Sequence, residues 1–136
     1  MHKIADKAFN LEDFSCEHLI DEAITVDWDN QYYTNSFTDC MYDIIAMLNT
    51  ARDKYLEAKT KPMKEEAKRT ELIKKYWWQM IQLLPSSYNQ RRTIKLNYEV
   101  LANIYKSRRN HKLDEWQDFC KWIESLPYSE LITGNK

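Results

Sequence analysis

Apolar residues recur at helical spacing along most of the chain after Ser36, and this pattern predicts helices. The four predicted helices cover roughly residues 37–59, residues 62–83, a stretch that begins between Ser87 and Arg92 and ends near Arg109, and residues 113–125. Ser36 is placed to cap the first helix, and Pro85 and Pro127 follow the second and fourth helices as stops. The pattern predicts an all-α fold, a small antiparallel bundle of four main helices.

The N-terminal residues lack a sustained helical pattern. Asn10 can cap a short turn, whereas residues 24–36 are rich in Asp, Asn and Thr and are predicted to form a loop, with a short extended piece at residues 24–28. Trp28, Tyr32 and Tyr33 lie in this polar loop. They either form a contact surface or fold back over the edge of the core, as half-buried aromatic side chains commonly do.

Length and composition indicate one soluble domain over residues 1–136, with a helical core at residues 37–127 and an acidic, partly irregular segment at residues 1–36. The single glycine, Gly134, excludes the glycine-rich loops of P-loop and dinucleotide-binding proteins. Three widely spaced cysteines are typical of reduced thiols rather than of a disulfide framework. No run of about 18 apolar residues is present to span a membrane, so we expect a cytoplasmic protein.

Charge is distributed unevenly along the chain. Residues 1–50 contain 2 Lys/Arg and 10 Asp/Glu, whereas residues 51–112 contain 16 Lys/Arg and 6 Asp/Glu. Two interpretations are open. Either the acidic N-terminal part packs near the basic middle, or the basic middle meets an external anion such as a nucleotide, a nucleic acid or an acidic protein face.

The residue pattern supports neither metal binding nor nucleophilic catalysis. His2, His18 and His111 lie far apart in the sequence, and only His18 has a cysteine nearby, so no spacing resembles a zinc site. Nothing local indicates a nucleophile with a placed base. The sequence therefore predicts no metal ligands and no catalytic residues.

The predicted third helix carries the first candidate binding residue. At about 100° per residue, Asn97, Leu101, Ile104 and Arg108 share one face, which predicts that Arg108 is at least half-buried beside an apolar stripe. A cation in that position needs an anionic or carbonyl partner, because an unpaired buried charge is costly. The partner is either an acidic residue of the N-terminal part or a ligand.

Further cations flank this helix. Arg91 and Arg92 lie in or just before its predicted first turn, where free backbone N–H groups favour anions, so an external phosphate or acidic partner would explain two cations there. One basic surface is predicted at the turn of residues 87–95 and a second at Lys106, Arg108, Arg109 and Lys112. The candidate ligand- or partner-binding residues are Arg91, Arg92, Lys95, Arg108 and Arg109.

The segment LLPSSYNQRRTIKLNYEVLANIYKSR, residues 83–108, resembles the C-terminal helical region of flavin-dependent thymidylate synthases, the ThyX family. The resemblance covers under a fifth of the chain. It rests on a Leu-Pro pair, an aromatic and polar turn, and a helix with the family's spacing at Asn97, Leu101, Asn103 and Arg108. It implies that Arg108 would hold the pyrimidine of dUMP and that Asn97 and Asn103 would lie against FAD. The segments NHKLDEW and FCKWIESLPYSELIT are also similar to ThyX-like proteins of phage and prophage origin.

Several features of that family are missing from this chain. The Arg-His-Arg signature with its distant Ser has no counterpart, and Glu99 stands where the family has an Arg. Ile81 and Ile94 replace a family Arg and a family aromatic residue. The N-terminal α/β part that builds most of the flavin and dUMP pocket is also missing. The chain therefore resembles only the C-terminal half of a ThyX protein, and the missing signature argues against enzymatic activity.

Two functions are expected as alternatives. The first is a non-catalytic, phage-type binding protein without a cofactor, which uses the basic helical face of residues 91–112 to engage a protein or nucleoprotein partner in the host cytoplasm. An inhibitor of a host defence nuclease, as small anti-CRISPR proteins are, fits its size and its lack of catalytic residues. The second is a ThyX-like protein that binds a nucleotide or FAD, a homo-oligomer in which neighbouring chains complete the dUMP/FAD site.

Overall fold

The computed structural model describes residues 3–62, 64–90 and 93–134. The chain forms two compact units, Met1–Gln90 and Arg91–Lys136. The first unit contains a 3₁₀ helix (Leu11–Asp13), strands β1 (Ile24–Trp28) and β2 (Gln31–Asn35), and helices α1 (Phe37–Thr60) and α2 (Glu66–Leu83). The second unit contains helices α3 (Tyr98–Arg108), α4 (Asp114–Glu124) and α5 (Glu130–Thr133).

A β-hairpin in the first unit makes the prediction of an all-α fold wrong. The described residues are 55% helical and 9% strand, a small mixed α/β fold, and the extended piece predicted at residues 24–28 is confirmed as β1. β1 pairs antiparallel with β2, and Trp28 faces Gln31 at the turn. Asp29 and Asn30, the two turn residues, have φ values of 51° and 61°. Asp and Asn tolerate this left-handed backbone better than other non-glycine residues, so a type I′ turn forms without glycine.

Helix α1 begins at Phe37, as the sequence predicts, because Ser36 caps it. The buried Ser36 hydroxyl accepts a hydrogen bond from the backbone N–H of Asp39 at 3.0 Å. α1 packs against α2, and the fully buried side chains of Leu48 and Met80 lie in the core of the first unit. Phe37, the first residue of α1, is 52% exposed and lies outside this core.

The first turn of α2 was predicted at Pro62, but α2 begins at Glu66. An arginine of α2 instead satisfies carbonyl groups at the end of α1, where the last turn has no intrahelical donors. The Arg69 Nε donates to the carbonyl oxygen of Ala58 at 3.2 Å, and its guanidinium also donates to the carbonyl oxygen of Lys59. The connection between the two helices is therefore held by side-chain capping as well as by the apolar core.

The N-terminal segment is fastened to α1 through polar contacts. Asn49 makes two hydrogen bonds to Phe9, because its Oδ1 accepts from the Phe9 backbone N–H at 2.7 Å and its Nδ2 donates to the Phe9 carbonyl oxygen at 2.9 Å. Arg52 donates from Nε to the carbonyl oxygen of Ala5 at 3.0 Å. The predicted cap at Asn10 is confirmed by a capping box at the 3₁₀ helix.

The segment after α2 returns to the N-terminal residues. The backbone N–H of Ser15 donates to the carbonyl oxygen of Ser87, and that of Asn89 donates to the carbonyl oxygen of Asp13, each at 2.8 Å. The Tyr88 ring packs edge-on against Phe14, 5.6 Å between centroids. The prediction that a helix begins between Ser87 and Arg92 is wrong: α3 begins at Tyr98, and Ser87 and Asn89 pair with residues 13–15.

The second unit has a core of its own. Its buried side chains are Leu101, Tyr105, Cys120, Ile123 and Ile132. α5 was not predicted; it follows a turn at Tyr128, whose φ is 58°, and it ends at Gly134 with a φ of 75°. Glycine adopts this left-handed conformation at no steric cost, as is common at the end of a helix. Among the described residues, no helix is long and apolar enough to cross a membrane.

Candidate binding surface

Helix α3 begins at Tyr98 because Asn97 caps it. The Asn97 side-chain oxygen accepts a hydrogen bond from the backbone N–H of Val100 at 2.9 Å. The helix ends in a basic turn that contains Lys106 and Arg108, and Arg109 is its C-cap residue. Cations here face the negative end of the helix dipole, so the basic end of α3 is locally favourable whether or not it binds anything.

The described candidate residues lie along α3 and just before it. Arg108 and Arg109 lie together at its C-terminal end and are exposed. Lys95 is exposed before the helix, and the exposed Asn103 lies within it. From the rise of an α-helix, roughly 15 Å separates the two ends of α3, so Lys95 does not belong to the same surface as Arg108. Arg91 and Arg92 lie outside the described residues.

Arg108 stacks on an aromatic ring. Its guanidinium carbon lies 4.8 Å from the centre of the Trp116 ring. Among the described carboxylates, none lies within the 4.0 Å of an ion pair with Arg108. The prediction that Arg108 is half-buried is wrong, because the residue is exposed. A guanidinium over an aromatic ring still has N–H donors at its edge that can bind an acceptor.

Trp116 begins a series of aromatic rings along α4. Its ring centroid lies 6.1 Å from that of Phe119, which lies 5.4 Å from that of Trp122. Trp116 and Phe119 are half-buried, whereas Trp122 is 51% exposed. Leu113, which precedes α4, is 55% exposed. We define the Arg108 surface as Lys106, Arg108, Arg109, Lys112 and Trp116.

An open, mainly polar cavity of about 420 Å³ lies between α3 and α4; its lining includes Tyr105, Arg109, Cys120 and Glu124. The Tyr105 hydroxyl donates to Glu124 Oε1 at 2.6 Å. This hydrogen bond, with burial and the charge of Glu124, raises the pKa of Tyr105. Burial and Glu124 also raise the pKa of the Cys120 thiol, which packs in the core of the second unit.

Replacement of Tyr105 by Phe removes the hydrogen bond to Glu124 and should lower the free energy of unfolding by about 1 kcal/mol at neutral pH. Because the folded-state pKa of Tyr105 is raised above its ordinary value of 10.0, this contribution is complete below pH 10.0 and is lost as the pH rises through the folded-state value. Urea unfolding of the wild type and Tyr105→Phe at neutral and strongly alkaline pH measures the difference. A difference that stays constant across this range would contradict the assignment.

The sequence did not identify Trp116 as the partner of Arg108. Arg108 ends α3 and Trp116 lies in the first turn of α4, and the short connection between them folds the two helices back on each other. The signal available in the sequence for this contact was an arginine in the last turn of one helix followed by a tryptophan in the first turn of the next. Among the described residues, no cluster of three or more His, Cys, Asp or Glu side chains could hold a metal ion.

Comparisons of the whole chain with protein-family models, with curated proteins and with solved structures found no match.

Proposed function

We propose that this chain is a non-catalytic binding protein and that the Arg108 surface engages phosphate groups of a nucleic acid or nucleoprotein. A narrower form of the same proposal is that the protein inhibits a host defence nuclease, by binding the nucleic acid that the nuclease carries. The observation that supports it is the stack of Arg108 on Trp116. The neutral ring positions an exposed guanidinium but does not neutralise its positive charge.

The composition of the surface suits phosphate recognition. Lys106, Arg108, Arg109 and Lys112 place four exposed cations within seven residues. Arginine donates to phosphate oxygens from a planar edge, and a guanidinium held against an aromatic ring loses less side-chain entropy when it binds. The neighbouring exposed ring of Trp122 offers a face on which a base can stack, as in proteins that bind single strands.

The alternative is a ThyX-like protein that binds FAD or dUMP. Two features of the described geometry weaken the case for it. The Asn97 oxygen assigned to the flavin by resemblance accepts from the Val100 N–H, and Asn103 is exposed at mid-helix. Flavin absorption in the purified protein, or a rise in its melting temperature with dUMP, would favour this alternative over the phosphate-binding proposal.

The proposal is tested by reversing one charge on the Arg108 surface. Arg108→Glu should weaken binding of a fluorescein-labelled single-stranded oligonucleotide by about tenfold or more at low salt, because one phosphate contact is replaced by repulsion. Fluorescence anisotropy measures the dissociation constant. Trp116→Phe keeps a ring beneath the guanidinium and should weaken binding less than Trp116→Ala does.

Lys74→Glu provides the matched control. Lys74 is exposed on α2 in the first unit, so its reversal changes the net charge equally but lies outside the Arg108 surface. We expect its affinity to stay near that of the wild type. The free energy of unfolding of Arg108→Glu should change by under about 1 kcal/mol, because an exposed cation–π contact contributes little. Equal weakening by both reversals would contradict the proposal.

A further inference from the structure

The β-hairpin of the first unit exposes aromatic side chains. Trp28 is 69% exposed, Tyr32 68% and Tyr33 51%. Of the described hairpin residues, none contributes a side chain to the buried core of the first unit. The interpretation that these rings fold back over the core edge is therefore wrong, and they form an open surface instead.

The hairpin also exposes its backbone edges. In a two-residue hairpin the closing pair, Trp28 with Gln31, is hydrogen-bonded, and bonded and non-bonded pairs alternate from there. The N–H and C=O groups of Thr25 and Asp27 therefore point away from β2. Neither strand contains the lysine or proline with which proteins commonly protect an edge from a further strand.

The edge of β1 lies in a strongly acidic part of the chain. Between Lys7 and Arg52 the sequence contains nine Asp/Glu and no Lys or Arg. Asp27 and Asp29 lie in β1 and at its turn, and Asp21 and Glu22 precede the strand; all four are exposed. A segment that pairs with this edge would therefore meet a negative field along its whole length.

We propose that β1 binds an extended, basic segment of a protein partner as a third strand. The partner's backbone pairs with the outward groups of Thr25 and Asp27, in the manner of β-strand addition. Side chains on paired strands share a face, so apolar residues of the segment would pack beside Val26 and Trp28. Its Lys or Arg residues would lie on the opposite face, beside Asp27. The segment expected is one that alternates basic and apolar residues.

Other occupants of this edge fit less well. A second copy of the chain paired through β1 would bring two acidic edges together, which is unfavourable for like charges. A nucleic acid or an anionic membrane surface would meet the same repulsion. A third strand also stabilises the sheet, since an isolated two-stranded hairpin is marginally stable. The β1 edge shares no residue with the Arg108 surface, so Arg108→Glu should leave this binding unchanged.

The test uses a fluorescein-labelled peptide of about eight alternating Lys and Val residues, a typical strand length. We expect saturable binding by fluorescence anisotropy and shifts of the Thr25 and Asp27 amide signals in NMR spectra. Two matched peptides serve as controls: one in which Glu replaces Lys, and one in which the backbone nitrogens of both the Lys and the Val residues are methylated so that they cannot donate. Neither control peptide should bind with an affinity comparable to that of the Lys-Val peptide. No binding of the Lys-Val peptide up to about millimolar concentration, where the binding energy is only about 4 kcal/mol, would overturn the proposal.

Two proline variants show which edge strand of the hairpin binds the peptide. Thr25→Pro removes an outward N–H from β1 and Thr34→Pro removes the equivalent group from β2, and proline is tolerated where the N–H faces solvent. Thr25→Pro should weaken binding of the Lys-Val peptide about tenfold or more, whereas Thr34→Pro should leave it unchanged.

Asp27→Asn keeps the oxygen that accepts from Asn30 and removes the charge, so it should weaken binding of the peptide and reduce the salt dependence of that binding. Unchanged binding in both Thr25→Pro and Asp27→Asn would overturn the proposal.

Discussion

Leu48→Ala is expected to lower the free energy of unfolding by about 3–5 kcal/mol. Leu48 is completely buried in α1, within the core cluster that also contains the completely buried Met80 of α2. Truncation removes apolar surface and leaves a cavity in the packed core of the first unit. Small domains have only about 5–15 kcal/mol of stability, so the loss should lower the melting temperature by on the order of 10 °C.

Urea unfolding followed by circular dichroism measures this loss. Met47→Ala is the matched control, since Met47 precedes Leu48 in the same helix but is 60% exposed, and it should cost under about 1 kcal/mol. The prediction that residues 1–136 form a single domain requires that Leu48→Ala shift one transition shared by both units. A loss for Leu48→Ala no larger than that for Met47→Ala would contradict the position assigned to Leu48.

Asn49→Ala is expected to cost about 2–3 kcal/mol. Asn49 makes two part-buried hydrogen bonds to the backbone of Phe9, and its truncation leaves a donor and an acceptor without partners. Phe9 is itself only 4% exposed, so the N-terminal segment loses both its polar and its apolar anchorage when it detaches. Hydrogen exchange at the Phe9 amide should accelerate in the variant by more than global destabilisation explains.

Asn103→Ala is the matched control for Asn49→Ala. Asn103 also lies inside a helix but is exposed, so its replacement removes no described hydrogen bond. Alanine has the higher helix propensity, and this variant should therefore be equal to the wild type or slightly more stable. A similar loss of stability in both variants would show that helix propensity, rather than the contact with Phe9, governs Asn49→Ala.

The helices with strong local signals were the predictable part of the fold. α1 combines a regular apolar stripe with a serine cap, and the observed bounds differ by one residue from those predicted. The hairpin was not predicted as a pair because its turn has Asp29 and Asn30 where a glycine is the usual signal. The start of α3 was predicted between Ser87 and Arg92, but α3 begins at Tyr98. Local sequence could not show that Ser87 pairs with Ser15, a contact between residues distant in sequence.

The candidate site was predictable in composition but not in geometry. The cations at the end of α3 follow from the sequence, and Arg108 and Arg109 lie together there. Helical periodicity placed Arg108 on the face of Leu101, yet its long side chain extends to Trp116 on the next helix and stays exposed. Similarly, Asn97, which the resemblance to the ThyX family implies would lie against FAD, caps α3.

The salt dependence of oligonucleotide binding tests the phosphate-binding proposal most directly. If the four cations of the Arg108 surface each displace a counterion, the logarithm of the association constant should fall with the logarithm of salt concentration with a slope of about −3. Arg108→Glu should reduce the magnitude of this slope by about 1, and Lys74→Glu should leave it unchanged. A slope near zero, or the same slope for Arg108→Glu as for the wild type, would contradict the assignment of phosphate binding to Arg108.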